Sequence, residues 1–236
     1  MQLWNNGIFG KACMAAVAVM CGAAVESASA ATLVTYDFGP VGSGTLNATQ
    51  TDNSLVTSAG PITVTGGGGS TGFRTNNDDV NLGTAAYSPN VYRLDPTDTA
   101  VDTTYTSYLQ FTLDPVASGV DLETFVFDAA RGGTTGTRTF NVLYSFDNFA
   151  TAGTSASGGN VTLSSNGYNY NRYTYDLSDE AGQATTSNIT FRIAGQSSGG
   201  TPVAFDNIMV TGSAVPEPAS LGLLGVAGLG LSRRRR

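Results

Sequence analysis

The sequence predicts an all-β protein, a two-sheet antiparallel β-sandwich, and three observations carry that expectation. From Thr32 to Thr211 no stretch keeps apolar residues at helical spacing. Short runs alternate apolar and polar residues with a period of two, as half-buried strands do. Gly, Ser, Thr, Asn and Asp punctuate those runs at the intervals that turns require. A chain of 236 residues is long enough for one such domain with tails, and the β pattern fills residues 31–213.

Taken in order, "TLVTYDFG", "GPITVTG" and "NVYRLD" supply three early strands. "YTSYLQFTLDP" places Tyr105, Ser107, Leu109, Phe111 and Leu113 on one face, and "DLETFVFDAA" does the same with Leu122, Phe125 and Phe127. "TRTFNVLYSFD" alternates Phe140, Val142, Tyr144 and Phe146, and β-branched and aromatic residues of this kind suit a pleated, half-buried surface. "NRYTYDL", "NITFRIAG" and "PVAFDNIMVTG" complete a set of nine. Two segments rich in Gly, Ser, Thr and Asn, "GPVGSGTLNATQTDNS" and "TAGTSASGGNVTLSSNG", read as long loops. "TGGGGSTG" lacks the Gly-Lys-Ser/Thr ending of a phosphate loop and also reads as a loop.

Charge and composition exclude several chemistries. Between residues 31 and 215 six arginines face sixteen carboxylates, a net of −10, which repels phosphate backbones and argues against a nucleic-acid partner. Cations and neutral polymers fit that field better. The two cysteines, Cys13 and Cys21, both lie in the N-terminal apolar stretch, so the predicted mature chain has neither a disulfide nor thiolate chemistry. Histidine is absent, which removes Ser-His-Asp and Cys-His nucleophiles and imidazole-ligated zinc. A carboxylate pair of the glycosidase type remains open in principle, but Glu123 and Glu180 are the body's two glutamates and neither sits in a motif.

Both ends read as addresses. Lys11 precedes an apolar run from Ala12 to Val25, and Ala28 and Ala30 are the small residues a signal peptidase reads, so residues 1–30 are expected to be a signal peptide cleaved after Ala30. At the other end Val215-Pro216-Glu217-Pro218 precedes an uncharged run from Ala219 to Leu231 and the cluster Arg233, Arg234, Arg235 and Arg236. The run is 13 residues long against the roughly 20 that span a bilayer, and arginine stems extend a short span by snorkelling. The prolines fix an extended segment that a protease can hold.

These three parts, in this order over residues 214–236, resemble the PEP-CTERM sorting signal of Gram-negative bacteria. The resemblance implies a C-terminal sorting helix, transient inner-membrane anchoring, cleavage near Pro-Glu-Pro by exosortase, and delivery to the cell surface or beyond. The body, with "YDF", "YLQFTLDP", "FVFDAARGG", "FNVLYSFDNF", "ITFRIAG" and "FDNIMVTG" in sequence, is similar to the jelly-roll bodies common in that family and, more loosely, to galactose-binding-like carbohydrate modules.

Two candidate sites follow. Asp206 is a carboxylate among apolar neighbours, and a buried carboxylate requires hydrogen bonds or a cation. The likeness to carbohydrate-binding jelly rolls implies a structural calcium held by Asp206 with Asp37 of the first strand; the alternative is that Asp206 accepts backbone hydrogen bonds. The cluster Asn76, Asn77, Asp78, Asp79 and Asn81 offers oxygen ligands but lacks calcium-loop spacing and reads as a solvated turn. "SNGYNYNRYTY" interleaves tyrosines with Asn and Arg, so Tyr168, Tyr170 and Arg172 are candidates for a glycan surface, with Tyr173 and Tyr175 on the other strand face. Cross-strand packing is the competing reading of these rings. The expectation is a non-catalytic structural or adhesive component of an extracellular exopolysaccharide matrix. A carbohydrate-binding module with a specific sugar site is the alternative, and a polysaccharide hydrolase or lyase the third reading.

Overall fold

The computed structural model describes residues 29–38, 44–68, 71–75, 90–96, 106–116, 118–131, 138–156, 159–163, 170–178, 185–197 and 202–215. Over these residues the chain forms β1 (Ala31–Tyr36), β2 (Gln50–Thr51), β3 (Val56–Ala59), β4 (Thr63–Thr65), β5 (Gly72–Thr75), β6 (Asn90–Leu94) and β7 (Tyr108–Pro115). It continues through β8 (Val120–Arg131), β9 (Arg138–Ser145), β10 (Thr154–Ser155), β11 (Val161–Leu163), β12 (Asn171–Asp176), β13 (Ile189–Ser197) and β14 (Val203–Ala214). No helix occurs among the described residues, and every strand pair is antiparallel.

Two seven-stranded sheets make the sandwich. Sheet A runs β12-β8-β14-β1-β2, with β6 on β14 and β5 on β6; sheet B runs β10-β9-β13-β7-β3, with β11 on β9 and β4 on β7. The sandwich is thus the predicted all-β, two-sheet antiparallel fold of the jelly-roll kind. The nine strands expected from alternation are all present. Five further strands, β2, β3, β5, β10 and β11, are two to four residues long and extend the sheets at their margins.

Alternation translates into burial where the outer face is open. In β7 the pattern is strict, with Leu109, Phe111 and Leu113 buried and Tyr108, Gln110, Thr112 and Asp114 half-buried. β9 departs from it. Phe140, Val142 and Tyr144 face the core as predicted, but Asn141, Leu143 and Ser145 on the other face are buried too, because the segment after the strand folds back as β10 beside it. Phe146, expected on the core face, lies past the end of β9 and is 41% exposed.

The core is aromatic and spans both sheets. Phe125 of β8 lies 6.0 Å from Phe111 of β7 and 5.3 Å from Phe191 of β13, and Phe127 lies 5.1 Å from Phe140 of β9. Each of these rings is buried to 3% or less, and burying one contributes on the order of 1.5–3 kcal/mol from its apolar surface alone. Sheet A supplies some of the rings and sheet B the others, so the contacts lock the two layers face to face.

Candidate functional site

The outer face of sheet B carries the best-formed polar and aromatic constellation. In-register pairing aligns Thr63, Gln110, Arg192, Leu143 and Ser155 across β4, β7, β13, β9 and β10. The neighbouring row reads Thr65, Tyr108, Ala194 and Asn141. Paired residues share a face, so Arg192 stands in mid-sheet with Tyr108 diagonal to it. Its strand neighbours on that face, Thr190 and Ala194, are small and buried, which leaves room above them for a long side chain.

Two rings enclose the guanidinium. Its central carbon lies 4.2 Å from the Tyr108 ring centre and 3.8 Å from that of Phe149, and each such cation–π contact contributes roughly 0.5–2 kcal/mol. Arg192 Nε donates to Gln110 Oε1 at 2.7 Å. Burial against these groups pulls the Arg192 pKa below its ordinary value, with the electrostatics of Tyr108 working the other way. Arg192, Tyr108, Gln110 and Phe149 are all half-buried and therefore reachable from solvent.

Phe149 reaches this position through the turn that follows β9. Ser145 Oγ accepts the backbone N–H of Asp147 at 3.1 Å and of Phe149 at 2.9 Å, and donates to Asp147 Oδ1 at 2.5 Å. Asp147 Oδ2 accepts from the Thr151 backbone at 3.1 Å and from its hydroxyl at 2.6 Å. Ser145 and then Thr151 hold the exposed Asp147 carboxyl below the usual aspartate range. The turn puts both Asn148 (φ 55°) and Phe149 (φ 60°) in the left-handed region, and for a bulky ring that is a costly backbone. Gly153 makes the arrangement sterically feasible, since a Cβ there would sit 2.2 Å from Phe149 Cε1. Beside the turn an open groove of about 250 Å³ is lined by Tyr144, Phe146, Asp147, Thr151 and Gly153, among others.

The residues singled out in the sequence lie on the opposite sheet. Asp206 is fully buried on β14 and accepts the Asn207 backbone N–H at 2.8 Å. Asp37 follows β1 and is half-buried; Tyr36 pairs with Ile208, so the ladder brings Asp37 and Asp206 to the same end of the β1–β14 pair. The residue directly across from Asp206 is Asp128 of β8, 1% exposed, which the sequence reading did not single out. Among the described residues no three carboxylate, cysteine or histidine groups form a metal-holding cluster.

Arg172 is engaged on Asp128. Its Nε donates to Oδ1 and a terminal amine to Oδ2, both at 2.9 Å, while Asn207 Nδ2 donates to Oδ2 at 3.0 Å. Asn207 sits at φ 49° where the pairing of β14 with β8 is irregular, and that bend turns its amide toward Asp128. Tyr170 is 8% exposed, which leaves it little open ring for a sugar, and Tyr173 and Tyr175 stack on Phe127 from the core side. Tyr168, Ala28, Pro216, Glu217, Pro218, Arg233 to Arg236 and the 76–81 cluster lie outside the described residues. Ala30 is exposed ahead of β1 and Val215 is half-buried after β14. No helix among the described residues is long and apolar enough to cross a membrane.

Arg192 was the residue that sequence reading missed. Its one signal is a charged residue at the polar position of the otherwise apolar "ITFRIAG". Phe149 gave none, because its role depends on the turn.

Solved structures with a similar fold include the CBM22-1 xylan-binding domain of Xyn10C from Paenibacillus barcinonensis, at 11% identity and TM-score 0.45, covering 80% of this chain and 99% of that one. The K3 cleaved adhesin domain of Lys-gingipain from Porphyromonas gingivalis is similar at 13% identity and TM-score 0.44, covering 77% and 99%. A Stig cyclase from Fischerella is similar at 17% identity and TM-score 0.38, covering 78% and 85%. No curated protein matches the chain in sequence. Residues 214–236 match the PEP-CTERM protein-sorting motif, so this is an exported protein that carries a C-terminal membrane-anchoring sorting signal processed by exosortase.

Proposed function

We propose that the exported protein is a non-catalytic component of an extracellular polysaccharide matrix of a Gram-negative cell surface, and that it holds glycan on the outer face of sheet B. The observation that supports this reading is the ring-flanked, half-buried Arg192 on the outer face of sheet B, bordered by half-buried Gln110 and by exposed Thr63, Thr65 and Ser155. Aromatic edges and faces pack against sugar C–H groups, while amide, hydroxyl and guanidinium groups bond sugar hydroxyls. A sheet face five strands wide presents such groups in rows, as an extended chain of sugars requires. The absence of histidine and of cysteine from the body supports a holding role over a nucleophilic one.

The test is binding of the processed, released protein to a panel of neutral and acidic polysaccharides, including the producing organism's own exopolysaccharide. Saturable binding to at least one polymer is expected, weakened about threefold to tenfold by Tyr108→Ala. Absence of saturable binding across the panel overturns the reading.

A further inference from the structure

Arg192 differs from Arg172, which is paired with Asp128. Among the described residues no carboxylate pairs with Arg192, although the body carries sixteen carboxylates against six arginines. Among the described residues Asp114 shares its sheet face and Asp147 lies in the adjoining turn, and both are held elsewhere. Asp114 is bound by the Ser58 hydroxyl, and Asp147 by Ser145 and Thr151. The central carbon of the guanidinium lies over both the Tyr108 and the Phe149 ring, and Nε is committed to Gln110. The terminal amines along the guanidinium edge are what remains, and that edge has the fork geometry that fits a carboxylate with two parallel bonds. A partly desolvated cation without an anion is costly, and a ligand carboxylate at that edge would relieve the cost.

Resting on the glycan-holding reading above, we infer that the outer face of sheet B selects polysaccharides with isolated carboxylates, a uronate or a pyruvyl ketal on a mainly neutral chain, and that Arg192 grips the carboxylate edge-on. The protein's charge sets the second half of this specificity. A body with a net of −10 repels a densely charged polyuronate at long range, whereas a single carboxylate seated between Tyr108 and Phe149 gains a short-range contact that the field opposes only weakly. The site thus discriminates on two sides, against chains with no acid and against chains with too many.

The experiment uses the processed, full-length-expressed protein and four probes: xanthan, xanthan with its carboxyls reduced to alcohols, polygalacturonate, and the neutral polymer dextran. Xanthan is expected to bind about tenfold tighter than its reduced form and tighter than polygalacturonate at low salt. Arg192→Gln should erase the difference between xanthan and its reduced form while leaving the far-ultraviolet spectrum and melting temperature close to those of the parent. The comparison of native with reduced xanthan needs no variant, so a misfolded Arg192→Gln does not blunt it. Equal binding of native and reduced xanthan overturns the inference and leaves glycan holding intact. Tighter binding of polygalacturonate than of xanthan overturns the isolated-carboxylate preference. Failure of all four probes and of the organism's own exopolysaccharide overturns both readings together.

Discussion

Two arginines on opposite outer faces of the sandwich sit in contrasting surroundings. Arg172 on sheet A keeps its side chain 62% exposed and reaches down to Asp128, which is 1% exposed. The buried partner there is the acid, and the arginine caps it. Arg192 on sheet B is itself half-buried, clamped between Tyr108 and Phe149, with no carboxylate beside it among the described residues. The first arrangement satisfies a buried charge from within the protein and is structural. The second leaves a cation's outer edge for something outside the protein, and that difference is the ground on which ligand binding is proposed for sheet B.

The largest expected effect breaks the comparison on the structural side. Asp128 accepts two bonds from Arg172 and one from Asn207, so Asp128→Ala should strand the Asn207 amide and lower stability by roughly 2 kcal/mol. The value stays below that of a fully buried pair because Arg172 is exposed and rehydrates. Loss of repulsion from Asp206, directly opposite in register, offsets part of the cost in either variant, and Asp128→Asn should be milder than Asp128→Ala because its amide oxygen still accepts a hydrogen bond. Arg192→Gln, by contrast, should change stability by no more than about 1 kcal/mol, because the two cation–π contacts it loses are offset by removing a partly desolvated cation that has no anion beside it. Urea unfolding of the three variants checks this. If Arg192→Gln costs as much as Asp128→Ala, the two arginines are equivalent and the contrast fails.

The contrast also marks how far the sequence could be read. Strands whose outer face stays open, such as β7, announce themselves by strict alternation, and the nine runs read from the sequence all contain strands. β10 and β11 do not, since two or three residues inside a Gly/Ser/Thr/Asn segment carry too short a pattern and pair with β9 because the chain doubles back on it. Asp206 was legible as a carboxylate in an apolar strand, and Asp128 in "FVFDAAR" carried the same signal. Their adjacency was not, because register across β8 and β14 joins residues almost eighty positions apart. The tyrosines of "NYNRYTY" advertised a surface and mostly went to the core, because β12 packs directly on Phe127. Phe149 lies beyond any periodicity, since a serine hydroxyl, an aspartate and two left-handed residues place it.

A smaller effect sharpens the binding side. Gly153→Ala places a methyl group 2.2 Å from Phe149 Cε1 and 3.2 Å from the Tyr144 carbonyl oxygen. The ring is the part that can yield, so it should swing off Arg192 while the sheet stays intact. Stability is expected to fall by about 1 kcal/mol, in line with a lost cation–π contact plus local strain. Affinity for the glycan should fall more than stability does, because the guanidinium loses one wall. Unchanged affinity would mean that Phe149 is a passenger and that Tyr108 alone orients Arg192.

The smallest effect concerns pH, and it arises from the same turn. The Asp147 carboxyl is held below its ordinary value first by Ser145 and then by Thr151, so its folded-state pKa is depressed. A depressed carboxylate contributes its stabilisation above the unfolded value of about 3.9 and loses it as pH falls through the folded value. The turn that carries Phe149 should therefore loosen only below about pH 4, and glycan affinity should stay level from neutral pH down to that point and then decline. Thr151→Val removes the 2.6 Å hydroxyl bond and leaves Ser145 in place, so it should move the Asp147 titration part of the way back up, and Ser145→Ala further. NMR titration of Asp147 in the three proteins reads the order directly. The decline in affinity should move to higher pH in the same sequence, parent, Thr151→Val, Ser145→Ala. An affinity loss that keeps one pH midpoint while Asp147 shifts would separate the turn from the site and assign the acid sensitivity to the glycan's own carboxylate, which the Arg192 fork requires in its ionised form.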